Sequence, residues 1–177
     1  MIYDALELFD PAGTTITSTA TSTNILDVGI LNAAQPGIGK QQRDVGPSYT
    51  GWDSLDIFVQ IQTTFTATGS ATLQVAIQAA VDAGATASAQ TPGTWYDQVM
   101  TGALPVANLT AGREILRTPV PRWSVCASNV NTRPRFYRLN YTVATGPMTA
   151  GAIEAVLVSS GGRQDNHAYP SGIPLTA

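Results

Sequence analysis

The stretch LDIFVQIQTTF, residues 55–65, alternates apolar and polar side chains along its length. Leu55, Ile57, Val59 and Ile61 point one way, and Asp56, Gln60 and Gln62 the other, with Phe58 the exception. A period of two marks a β-strand with one face in a core and one in water. The signal returns at once in TLQVAIQAAVD, residues 72–82. There Leu73, Val75, Ile77, Ala79 and Val81 oppose Gln74, Gln78 and Asp82. TATGSA between the two carries a Gly-Ser turn signal, so the pair reads as one long antiparallel hairpin.

The rest of the chain follows the same grammar. Strands are expected over residues 2–9, 21–31, 95–101, 114–119, 123–127, 136–144 and 152–159. In FYRLNYTVA, Tyr137, Leu139, Tyr141 and Val143 share one face, whereas AIEAVLVSS is apolar on both, as a central strand is. DPAG, QPGIG, DVGPSYTG, NVNTRP and ATGPMTAG read as turns. No segment has a helical period, and the Ala-rich QAAVDAGATASAQ is broken by Gly, Thr and Ser into a loop. Two regions lack a sheet pattern: residues 32–52, rich in Gly, Gln and Pro, and the tail 161–177.

Seven to nine short strands in 177 residues predict one domain of two packed antiparallel sheets. Jelly roll and immunoglobulin-like sandwich are the two options. Cys126 is the only cysteine, so the inter-sheet disulfide of antibody-type domains is impossible, and the jelly roll is preferred. The expected division is a jelly-roll domain over residues 1–160 and an extended docking tail over 161–177.

Charge narrows the function. Only 12% of residues are charged, about half the usual share, which fits a protein that lives in an assembly. The net charge of -3 gives no global drive onto nucleic acid. Arginines nevertheless gather in one region, as Arg113, Arg117, Arg122, Arg133, Arg135 and Arg138, with Glu114 the only acid among them; Lys40 is the only lysine. Arg133 and Arg135 share a face if their stretch is extended. They either meet an acidic partner surface or are paired within the chain. MIYDALELFD has acids where a signal peptide carries lysines, and no apolar run reaches the roughly 20 residues needed to span a bilayer. A chain made in the cytoplasm, with no membrane partner, is expected.

No enzymatic constellation emerges. Asp165 and His167 are two apart in GGRQDNHAYPSG and project to one side of an extended chain, but His167 is the only histidine. Two ligands do not make a zinc site, and no Gly-x-Ser-x-Gly elbow supplies a nucleophile. No catalytic residue, metal or cofactor is expected. The tail reads instead as a docking segment, with Arg163 and Tyr169 as interface anchors and Pro170 and Pro174 keeping it extended. Trp52, Trp95 and Trp123 are core or interface anchors, or else platforms for sugars, with Trp95-Tyr96 the best placed for the latter.

The opening MIYDALELFDPAGTTITSTATSTNILDVG, the middle SATLQVAIQAAVDAG with GTWYDQVMTGALP, and the close SSGGRQDNHAYPSGI resemble the capsid cement, or head decoration, proteins of tailed bacteriophages, a small jelly-roll group. The resemblance runs in order over nearly the whole chain. It implies a structural virion protein on the outer surface of an icosahedral head, made in the host cytoplasm. Such a protein clamps junctions between capsomers of the major capsid protein against DNA pressure, with no active site, and associates as a dimer in preference to a trimer. The residues expected at capsid or intersubunit contacts are Tyr3, Arg133, Arg135, Arg163, Asp165, His167 and Tyr169. A carbohydrate-binding sandwich displayed on the virion is the alternative, and a jelly-roll hydrolase using Asp165 and His167 a distant third.

Overall fold

The computed structural model describes residues 8–27, 55–84, 90–121 and 134–159. They form ten strands: β1 Leu8–Thr15, β2 Ala20–Thr21, β3 Leu26–Asp27, β4 Leu55–Ala67, β5 Thr72–Ala80, β6 Tyr96–Met100, β7 Leu104–Pro105, β8 Glu114–Pro119, β9 Phe136–Ala144 and β10 Met148–Ser159. A single 3-10 turn at Val106–Asn108 is the only helical element among the described residues. The strands build two antiparallel sheets. The first runs β1-β10-β4-β8; the second runs β2-β9-β5-β6, with β3 beside β9 and β7 beside β5.

The pairings are nested. β1 pairs β10, β2 and β3 pair β9, β4 pairs β8, and β5 pairs β6 and β7. Successive nested pairs fall in alternate sheets, and the contacts β10·β4 and β9·β5 join them. A chain folded once into a long double ribbon and then rolled gives this pattern, which is the jelly roll. The fold is therefore an all-β jelly-roll sandwich.

One expectation is overturned. The segments around 55–65 and 72–82 do not form a hairpin: β4 hydrogen-bonds to β10 and β8, and β5 to β9, β6 and β7. The turn at Thr68–Ser70 carries the chain from one sheet to the other. The two apolar faces meet across the core instead of lying side by side. Ile57, Val59, Ile61 and Phe65 come from the first sheet, and Leu73, Val75, Ile77 and Ala79 from the second, all buried in one cluster with Leu139, Tyr141, Ile153 and Leu157. Each such aliphatic side chain contributes roughly 1.5–3 kcal/mol on burial.

DPAG is also not a turn. It lies inside β1, where the register against β10 slips twice between Leu8 and Thr14 and Gly13 adopts a φ of 89°. Pro11 is tolerated because β1 is an edge strand, where a missing N–H costs no ladder bond. The irregular edge also discourages pairing with another sheet.

The connections differ sharply between the two ends of the sandwich. At one end the turns are short or tied down: Met148 N–H donates to Thr17 O (3.0 Å), Val106 N–H to Ala71 O (3.1 Å) and Phe65 N–H to Leu109 O (2.9 Å). The other end holds the start of β1, the end of β3, the start of β4, the ends of β5 and β8, the start of β9 and the end of β10. The register places them together, since Ser159 faces Leu55, Asp56 faces Pro119, Asp27 faces Phe136 and Ala80 faces Phe136.

Candidate functional site

The end that gathers these strand termini is organised by Arg135. Arg135 is only 8% exposed. Its Nε donates to Asp27 Oδ1 and its Nη2 to Asp27 Oδ2, both at 2.8 Å, while Nη1 donates to Asp82 Oδ2 at 2.8 Å and Nη2 also to Gln90 Oε1. The planar guanidinium lies 5.1 Å from the centre of the Phe136 ring. Asp27 ends β3, Asp82 follows β5, and Arg135 precedes β9. One side chain thus ties three separate chain segments. Lysine offers one compact charge and lacks the fork that serves two carboxylates.

The electrostatics agree with this geometry. The Asp27 hydrogen bonds raise the Arg135 pKa above its ordinary value, against the effect of burial. The Asp82 carboxyl is lowered below its ordinary value, first by the backbone N–H of Gly84 (2.9 Å), then by that of Thr91 (3.2 Å) and by Arg135. Asp82 thereby closes the base of the β5–β6 connection as well as holding Arg135.

A second buried network joins the two sheets. Asp10 on β1 is buried. It accepts from Tyr141 Oη on β9 at 2.6 Å, from Thr23 N–H at 2.8 Å and from Thr23 Oγ1 at 2.7 Å. Ser22 adds a second clasp, accepting from Leu139 N–H (3.0 Å) and donating to Asn24 O (2.8 Å). No described buried side-chain nitrogen or oxygen lacks a partner. Burial, followed by the nearby Asp10, pushes the Tyr141 hydroxyl well above its ordinary value of 10.0. Tyr141→Phe is expected to cost about 1–3 kcal/mol, because Asp10 loses a donor it cannot replace with water. The pH sign follows from linkage. The Tyr141 contribution is complete below pH 10.0 and falls as pH rises beyond it, because the unfolded chain releases that proton first. Urea midpoints of the two proteins should therefore converge at alkaline pH; a constant gap would contradict this.

Of the expected contact residues, Arg135 alone falls among the described ones, and its guanidinium is engaged by its own chain. Tyr3, Arg133, Arg163, Asp165, His167 and Tyr169 lie outside the described residues, as do the segment 32–52 and the tail 161–177. The described residues nearest to them, Leu8, Pro134 and Ser159, belong to the Arg135 end of the sandwich.

The other described arginines divide. Arg117 pairs Asp56 (3.3 Å) and Glu114 (3.9 Å) and lies over Phe58. Arg113 donates to Asn108 O (2.9 Å). Arg138 has no ion pair among the described residues; it packs on Trp95 and hydrogen-bonds Gln78. The sequence pattern grouped these arginines but could not separate paired from unpaired, because their partners are up to 108 residues away. Among the described residues no group of three or more His, Cys, Asp or Glu is placed to hold a metal ion, and no helix is long and apolar enough to cross a membrane.

No curated protein matches the sequence. The model of the Bbp16 family matches residues 11–157, a span that begins in β1 and ends in β10 and so takes in every strand of both sheets. The chain belongs to the Bbp16 family.

Proposed function

We propose that this chain is a structural protein of a bacteriophage virion that binds the outer surface of the icosahedral head and cements contacts between capsomers of the major capsid protein. The observation that carries the reading is the polarity of the sandwich. Strand termini that lead into the longest connections, the start of β1 and the end of β10 all gather at one end. A rigid double sheet whose strand termini gather at one end is suited to gripping a surface there. The low charge content and the resemblance to head decoration proteins point the same way.

The physics of such a role is modest per site. Many copies on a repeated lattice gain avidity even where each contact is weak. A protein that binds the assembled shell and not its free subunits stabilises the shell by linkage. Association with a second copy would enlarge each contact.

Cryo-EM of purified particles tests this. The jelly roll is expected on the outer shell at capsomer junctions, in lattice stoichiometry, with the Leu8, Pro134 and Ser159 end facing the capsid. A bare shell, or the chain found on fibres or tail, would overturn the reading.

A further inference from the structure

We infer that Arg138, on the outer face of the second sheet, is a preorganised docking arginine that takes a carboxylate from an acidic side chain of a protein partner. Arg138 on β9 faces Gln78 on β5, which faces Asp97 on β6. Their in-register neighbours Leu139, Ile77 and Val99 turn toward the core, so this row turns outward. Arg138 Nε donates to Gln78 Oε1 at 2.8 Å, and Gln78 Nε2 donates to Asp97 Oδ1 at 2.8 Å. The guanidinium lies 4.3 Å from the centre of the Trp95 ring.

Two sides of the guanidinium are thus fixed, and its terminal nitrogens have no acceptor among the described residues. That edge is the one that binds a carboxylate through two parallel bonds. Partial burial lowers the Arg138 pKa, with Asp97 acting in the opposite direction. A partly desolvated cation with no carboxylate in direct contact gains from meeting one, and its rotamer is already set.

The surroundings match an interface hot spot. One of the large apolar side chains exposed on the described surface, Met100 at 56%, lies on β6 beside this row. Met100 faces Ala76 and shares the outer face with Arg138. Arg, Trp and Met are among the residues enriched at such centres. A protein partner is favoured over a sugar because one face of the Trp95 ring is already covered by the guanidinium. Edge pairing through β6 is disfavoured, since its register slips between Asp97 and Val99 and Gln98 Nε2 caps the Tyr96 carbonyl at 2.9 Å. The inference does not depend on the capsid reading, because it concerns the chemistry of the partner and not its identity.

The test is an NMR titration of the full chain with acetyl-Leu-Asp-amide, following the Arg138 Nε–H and Trp95 indole N–H resonances. Acetyl-Leu-Asn-amide is the control and sialyllactose the competing probe. Saturable shifts are expected with the Asp peptide only. The apparent dissociation constant should rise about tenfold or more in Arg138→Gln and in Arg138→Lys, which keeps the charge but loses the fork. Equal shifts with the Asn peptide, no shift at these two groups, or unchanged affinity in a folded Arg138→Lys protein would each overturn the inference. Sialyllactose binding in preference to the Asp peptide would overturn it in favour of a glycan.

Discussion

Gly151→Ala is expected to lower the unfolding free energy by about 4 kcal/mol or more, through two costs that act together. Gly151 sits in β10 with a φ of 143°, a conformation that side-chain-bearing residues rarely adopt. A Cβ there would lie 2.2 Å from Phe65 Cδ1 and 2.3 Å from Cγ, well inside contact distance. The ring cannot swing away, because Phe65 is buried in the core and its backbone N–H is held by Leu109 O at 2.9 Å. The strands bulge at this point: Ala150 faces Thr66 while Ala152 faces Thr63, so Gly151 alone opposes two residues of β4. Phe65→Leu in the Gly151→Ala background should recover part of the packing cost and none of the backbone cost. Urea unfolding followed by circular dichroism reads both. A single variant within about 1 kcal/mol of wild type would show that β10 is not held in this register.

Gly151 also marks where the sequence was readable and where it was not. Glu114–Pro119 and Phe136–Ala144 are strands with the limits their alternation predicts, because period two is a local property of the chain. ATGPMTAG looks like a turn to its last residue, yet β10 begins at Met148 and takes Gly151 into the ladder. A glycine in a bulge and a glycine in a turn leave the same letter, and only the ring of Phe65 distinguishes them. The supposed hairpin of β4 and β5 failed for a related reason. Alternation tells which side chains are buried but not whether the next strand lies beside them or across the core. Arg135 is more instructive, because the sequence left open whether it meets a partner surface or is paired within the chain. Its neighbours in sequence, Arg133 and Arg138, gave it the look of a surface patch. Its partners Asp27 and Asp82 are 108 and 53 residues away and become visible only once β3, β5 and β9 share a sheet. Arg138, which stays outward, is separated from Arg117 and Arg135 by the carboxylate partners that those two have found.

Arg135→Met is expected to cost about 2–3 kcal/mol and to loosen the end of the sandwich where these strand termini gather. Removing one member of a fully buried pair costs about 3–5 kcal/mol, because the remaining charge is stranded. Here the groups that lose the guanidinium are Asp27 and Asp82, whose side chains are 42% and 28% exposed, so water recovers part of that loss. Met fills the space of the side chain without its charge, which separates the ionic contribution from packing. Arg135→Lys should restore less than half of the loss, since a single ammonium cannot reach Asp27, Asp82 and Gln90 in the geometry the fork achieves. The effect has a pH signature. The Asp82 carboxyl is held below 3.8 in the fold, so its contribution is present above that pH and is lost as pH falls through the lowered value. The gap between wild type and Arg135→Met should therefore narrow in acid, although the Gly84 and Thr91 backbone bonds, which Met leaves in place, keep part of the dependence in both proteins. Amide exchange read by mass spectrometry adds the spatial test. Exchange should accelerate around Asp27, Asp82 to Thr91 and Phe136 while the closed end near Met148 and Leu109 stays protected. Uniform acceleration through both ends would mean that Arg135 serves the whole sandwich and not the one end where the long connections begin.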